Sequence, residues 1–197
     1  MKKIVLTSLL AVFAAGAASA AVTPYASLKL GYDSVAKADV EENGVKMAET
    51  PDMSGYMGSI AGGASFDVSS TVGLRAELEY VYADTEEDSS ADAMTLSYST
   101  VMVNGYADFG DASWVVKPYV GLGVGYAFGT VGSGSEDIDA SGLAYGISAG
   151  VVYPIDSNFA LDLGAKYTIH DLTTDEDSDV TLNVPAWSYM LGARYMF

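Results

Sequence analysis

The final thirteen residues, Pro185 to Phe197, alternate between two classes of side chain without interruption. Pro185, Trp187, Tyr189, Leu191, Ala193, Tyr195 and Phe197 share one face of an extended chain, and Ala186, Ser188, Met190, Gly192, Arg194 and Met196 share the other, because strand side chains repeat with period two. One face suits hydrocarbon and the other a crowded polar interior. A helix would scatter both sets around its circumference, so the pattern demands a strand with unlike surroundings on its two sides.

The same parity recurs upstream. Leu74, Ala76, Leu78, Tyr80 and Tyr82 oppose Arg75, Glu77, Glu79, Val81 and Ala83. Pro118, Val120, Leu122, Val124, Tyr126 and Phe128 oppose Lys117, Tyr119, Gly121, Gly123, Gly125, Ala127 and Gly129, which puts the glycines where a narrow interior has least room. Segments 143–153 and 159–169 alternate similarly. In the segment from Met94 to Phe109, Val103, Gly105, Ala107 and Phe109 are expected on the apolar side, while the parity of its first half is ambiguous.

Turn-forming residues punctuate these segments. Short connections are expected near Ser69–Thr71, Gly110–Ser113 and Asp156–Asn158, and longer ones over about 35–52, 84–93, 130–142 and 171–183. Short and long alternate strictly, so all the tight turns fall on one rim and all the long loops on the other. Eight antiparallel strands in up-and-down order, closed into a transmembrane β-barrel, satisfy this count: an all-β fold with short periplasmic turns and longer acidic extracellular loops. Aromatics gather at both ends of the outward faces, as interfacial girdles do. Phe66, Phe109, Trp114, Tyr153, Phe159, Tyr195 and Phe197 mark the turn side, and Tyr32, Tyr56, Tyr80, Tyr82, Tyr126, Phe128, Tyr145, Tyr167, Trp187 and Tyr189 the loop side.

At the other end of the chain, Lys2 and Lys3 precede an apolar run from Ile4 to Ala15 and an A-x-A site at Ala18–Ala20. Residues 1–20 are expected to be a cleaved secretory signal and 21–197 the barrel domain, since the run is shorter than a membrane helix needs. Removing the two lysines shifts the formal charge from −17 to −19. Such acidity excludes nucleic acid as a partner. With no cysteine, neither disulfides nor thiolate metal sites can form.

The charges divide by location. Lys29, Arg75, Lys117, Lys166 and Arg194 fall on inward parities, as do Glu77, Glu79 and Asp162, with Asp108 as a further candidate. Eight strands leave an interior about filled by side chains, so these residues are expected to form a structural network that plugs the lumen rather than an open pore. An internal echo supports pairing across the barrel: Gly63–Tyr80 aligns without gaps on Gly150–Tyr167, and Arg75 and Glu79 meet opposite charges at Asp162 and Lys166. The four long connections carry −3, −5, −3 and −5, nearly all the net charge. The acidic runs 84–88 and 175–179 could chelate a divalent cation, though a solvated charged loop is the commoner meaning of such runs, and no metal or cofactor is expected. His170, the single histidine, precedes Asp171. Adjacent strand residues point to opposite faces, which places the two poorly for a catalytic dyad.

The signal segment, the eight alternating strands, the terminal Tyr195-Met196-Phe197 and the stretches Pro24–Tyr32, Asn104–Phe109 and Pro118–Tyr126 resemble the opacity-protein-like outer-membrane barrels, which also resemble the transmembrane domain of OmpA and the OmpX-like proteins. The resemblance implies residence in the outer membrane of a Gram-negative cell, in contact with its lipid and lipopolysaccharide. It implies that Tyr195 and Phe197 belong to the signal read by the barrel assembly machinery. It further implies a non-enzymatic surface or adhesin role, with a host-surface ligand taken through the loops and a contribution to envelope integrity. A small porin-like channel and a lipid-modifying enzyme remain the alternatives.

Overall fold

The structure is a computed structural model that describes residues 22–36, 39–42, 45–49, 52–87, 95–111, 113–133, 136–174 and 180–197. The expected signal segment 1–20 and the acidic run 175–179 lie outside the described residues. In chain order the strands are β1 (Val22–Val35), β2 (Asp39–Glu42), β3 (Val45–Glu49), β4 (Met53–Asp67), β5 (Val72–Glu87), β6 (Thr95–Phe109), β7 (Lys117–Ser133), β8 (Glu136–Pro154), β9 (Phe159–Thr174) and β10 (Val180–Met196). The eight long ones pair antiparallel in sequence, and β1 closes on β10 from Tyr25 opposite Met196 to Val35 opposite Ala186. Closure leaves no strand edge, as hydrocarbon requires of a spanning sheet.

The connections depart from expectation on the loop side. Much of what the sequence offers as long loops is ladder: β5 and β6 stay paired out to Glu86 opposite Thr95, and β7 and β8 to Ser133 opposite Glu136. Within 35–52, β2 and β3 form a hairpin that pairs with β10 from Val180 to Asn183. The hydrogen-bond ladder does not stop at the membrane surface. Beyond it the outer face meets water, so Asp84, Glu86, Ser97 and Asp139 can face outwards on regular strands, and polarity there no longer marks a loop.

Side-chain acceptors build the opposite rim. Ser69 Oγ accepts from the amides of Thr71 and Val72, at 3.2 and 3.0 Å, and Asp156 Oδ1 accepts from those of Asn158 and Phe159, at 2.8 and 2.7 Å. The connection at 110–116 is longer than expected and starts on Gly110, whose φ of +118° favours glycine. There the Ser113 hydroxyl and then its amide donate to Asp111, and these bonds hold the Asp111 carboxyl below the usual carboxylate range.

Candidate functional site

Parity sorts the wall as the alternation demands. Outward Leu28, Leu30, Leu78, Val120, Leu122, Leu163 and Leu191 are exposed, and exposed rings flank them at both ends. The inward positions fill the lumen in tiers.

At the turn side, Arg75 Nε donates to Asp108 Oδ2 at 2.5 Å, and its guanidinium lies 4.3 and 5.0 Å from the ring centres of Tyr106 and Tyr119. Arg194 Nη2 donates to Asp162 Oδ2 at 2.6 Å, and Tyr119 donates to the other oxygen of that carboxylate at 2.8 Å. One step inwards, Glu77 accepts from Tyr25, Tyr106 and Lys29 at 2.9, 2.7 and 3.1 Å. At the centre, Glu79 is fully buried. Its Oε1 accepts from Lys29 at 3.0 Å and Ser59 at 2.8 Å, and its Oε2 from Lys166 at 2.6 Å and Asn104 at 2.9 Å.

Towards the loops the chemistry changes again. Asp33 accepts from Tyr98 and from Ser188 Oγ, and the Tyr98 ring packs on His170 with centres 4.9 Å apart. Above them Val35, Met53, Ala83, Leu96, Leu172, Val184 and their neighbours form a buried apolar layer inside the barrel. This inversion, apolar inside and polar outside, explains the ambiguous first half of β6: Leu96, Tyr98 and Thr100 turn inwards, and Ser97 and Ser99 outwards.

The structure therefore brings Lys29, Glu77, Glu79 and Lys166 into one cluster and Arg194 and Asp162 into a second. Of the pairs suggested by the internal echo, Glu79 and Lys166 are in contact, whereas Arg75 turns to Asp108 and Asp162 to Arg194. Lys117 takes no part in the network. It stands at the turn-side mouth, lining a cavity of about 660 Å3 with Arg75, Asp108 and Arg194, because its strand begins there and leaves the side chain level with the rim. Sequence reasoning left Asp33 and the four tyrosines Tyr25, Tyr98, Tyr106 and Tyr119 out of the network, although it had turned Tyr119 inwards and the parity that turns Lys29 inwards also turns Tyr25 and Asp33 inwards. His170 is buried with Nδ1 3.2 Å from the Val184 carbonyl oxygen, while Asp171, on the outer side, accepts from Asn183 at 2.7 Å. The two do not meet. Among the described residues no group of three or more metal-ligating side chains is assembled.

The folded chain can be placed among known proteins. Its fold is shared by neisserial surface protein A, which is 20% identical, with a TM-score of 0.59 and coverage of 86% of this chain and 97% of that one. OprG from Pseudomonas aeruginosa gives 15% identity, a TM-score of 0.51, and 88% and 95% coverage. AlkL, solved in lipid bilayers, gives 19%, 0.50, and 89% and 90%. No curated protein sequence matches the chain. The family model for the outer membrane protein beta-barrel domain matches residues 4–197, so the chain belongs to that family and resides in the outer membrane as a closed eight-stranded barrel.

Proposed function

We propose that this is a non-conducting, non-enzymatic surface barrel whose working surface is the acidic loop rim, where it engages a host-surface or matrix ligand and supports the integrity of the envelope. The observation that carries the reading is the filled lumen. The turn-side cavity runs into the Arg75, Tyr106 and Tyr119 stack, then into the Glu79 cluster, and the loop-side half is closed by apolar packing. Among the described residues these tiers are filled by side chains that bond or pack across the lumen, which supports a non-conducting barrel, whereas the acidic connections hold most of the net charge.

Two measurements test it together. The purified barrel in a planar bilayer should give no steady single-channel steps, and steady steps would replace this reading with the channel. Whole cells carrying the barrel should bind matrix or host cells, and replacing 88–93 and 175–179, which lie beyond the paired ends of β5, β9 and β10, by short neutral turns should abolish that binding. Binding unchanged by those replacements would remove the rim from the function.

The catalytic alternative has its own check. His170→Ala should leave the lipid A mass profile of the host cell unchanged, because the ring is buried against Tyr98 and a backbone carbonyl and faces away from Asp171. A profile that changes with the histidine would restore the enzyme.

The proposed assembly role of Tyr195 and Phe197 is separable from stability. Phe197 is exposed, with its ring against Tyr195 at 5.2 Å and its amide on the Pro24 carbonyl at 3.0 Å. Phe197→Ala keeps that backbone bond and loses one exposed ring contact, a cost of about 1 kcal/mol or less in a barrel refolded in detergent. In cells the same variant should reach the outer membrane in clearly reduced amount. Normal levels would sink the assembly role.

A further inference from the structure

The turn-side mouth has a floor whose charges are matched and whose hydrogen bonds are not. Arg75 and Arg194, 4% and 6% exposed, line the cavity of about 660 Å3, and each already holds a carboxylate, Asp108 and Asp162 respectively. At the rim Lys117 stands near enough to Asp111 to favour its charged form. Among the described residues, three buried atoms of the floor nevertheless have no hydrogen-bond partner: Arg75 Nη2, Arg194 Nε and Asp108 Oδ1. An unmet buried donor or acceptor costs free energy, which a ligand recovers by meeting it.

The space above this floor is not dictated by close strand approach. Deeper inward glycines admit nothing larger: a Cβ at Gly121 would stand 2.3 Å from the Tyr106 ring, and one at Gly150 2.4 Å from the Leu163 carbonyl oxygen. Gly73 also faces the lumen, at the mouth itself, yet a Cβ there would meet only ordinary contacts at 3.7–3.9 Å. Packing would accept a side chain at 73, and its absence keeps the mouth wide. Val152, Pro154, Ala160 and Met196 add an apolar side. Apolar walls with a few convergent polar atoms are the usual make-up of a small-molecule site.

We propose that the turn-side mouth binds a small neutral solute built on an amide, with its apolar substituent against Val152, Pro154 and Met196. The amide carbonyl accepts from the guanidinium side and the adjoining N–H donates to Asp108 Oδ1, so one group supplies both the acceptor and the donor that the floor lacks. An anion fits less well. Each guanidinium is already neutralised, and a bound carboxylate or phosphate would face Asp108 at the floor and Asp67 at the rim while giving up its hydration. A cation would meet two arginines. The turn side faces the periplasm in barrels of this kind, so the solute is a periplasmic one. A short peptide and an N-acylated amino sugar carry the same amide.

The test titrates the full chain in nanodiscs with N-acetyl-leucine amide, N-acetylglucosamine, acetate and inorganic phosphate in turn, and follows the backbone amide signals of Gly73 and Lys117 by NMR. Saturable shifts are expected with an amide at millimolar concentration and with neither anion. Whichever of the two amides binds more tightly identifies the source as peptide or amino sugar. Gly73→Leu, which fills the mouth at a position with room for it, should weaken binding by roughly tenfold, the ratio for about 1.4 kcal/mol, while the barrel still shifts on a detergent gel when boiled. Arg194→Lys keeps a cation for Asp162 but removes the unspent N–H, and should weaken binding independently. Absence of saturable shifts with both amides, tighter binding of acetate or phosphate, or amide binding that survives Gly73→Leu in the folded barrel would overturn the proposal.

Discussion

Glu79→Ala should destabilise the refolded barrel by about 3–5 kcal/mol in urea titration, the cost of breaking a buried ion pair by removing one partner. Glu79 is fully buried and bridges two ammonium groups, Lys29 at 3.0 Å and Lys166 at 2.6 Å. Their fates differ once it is gone. Lys29 keeps Glu77 at 3.1 Å, whereas Lys166 keeps only the Met102 sulfur at 3.7 Å among its described contacts. The penalty is thus chiefly that of stranding Lys166 in a low-dielectric interior. The double variant Glu79→Gln, Lys166→Met should then cost less than the two single changes added together, with a coupling of roughly 0.5–3 kcal/mol. Strict additivity would mean that the pair does not interact. Asp84→Ala, which removes an exposed carboxylate bonded to Ser97, should change stability by less than about 0.5 kcal/mol.

The contrast between Glu79 and Asp84 also marks what was legible in the sequence. Both are acids on the same strand, and parity alone turns one inwards and the other outwards. Lipid against lumen enforces that parity, which is why the eight strands, their faces and the girdles could be read from residues alone. Parity says nothing about height along the barrel axis or about the partner across the lumen, because both depend on strand tilt and shear. Lys117 was therefore assigned to a network that begins deeper in the barrel, and Arg75 was matched to Asp162 when Asp108 on the adjacent strand lies closer. Above the membrane the rule inverts. Leu96 and Tyr98 are buried while Ser97 and Ser99 face outwards, so a reading that equates polar stretches with loops ends the strands too early. A wall that changes its outer solvent from lipid to water along a single strand cannot be parsed by one polarity code.

Gly125→Val should prevent formation of the heat-modifiable barrel. A Cβ at Gly125 would stand 2.1 Å from the Val101 carbonyl oxygen and 2.8 Å from both the Cα and Cγ of Met102. The obstacles include backbone of the paired strand β6, so no rotamer change relieves them. β6 and β7 would have to separate by close to an ångström at the level where Met102 is already fully buried beside Lys166. Overpacking of this kind costs typically about 1–3 kcal/mol where side chains can give way, and more where a ladder must open. Here the opening also disturbs the Asn104 amide that donates to Glu79, so the damage spreads into the charged cluster. Gly105→Val on the neighbouring strand is the control. A Cβ at Gly105 meets nothing within 4 Å and faces lipid, so that variant should fold and shift on a gel as the parent does. If Gly125→Val folds equally well, the narrowness of this lumen is not set by glycine, and the close strand approach would have to be held by the side chains that fill it.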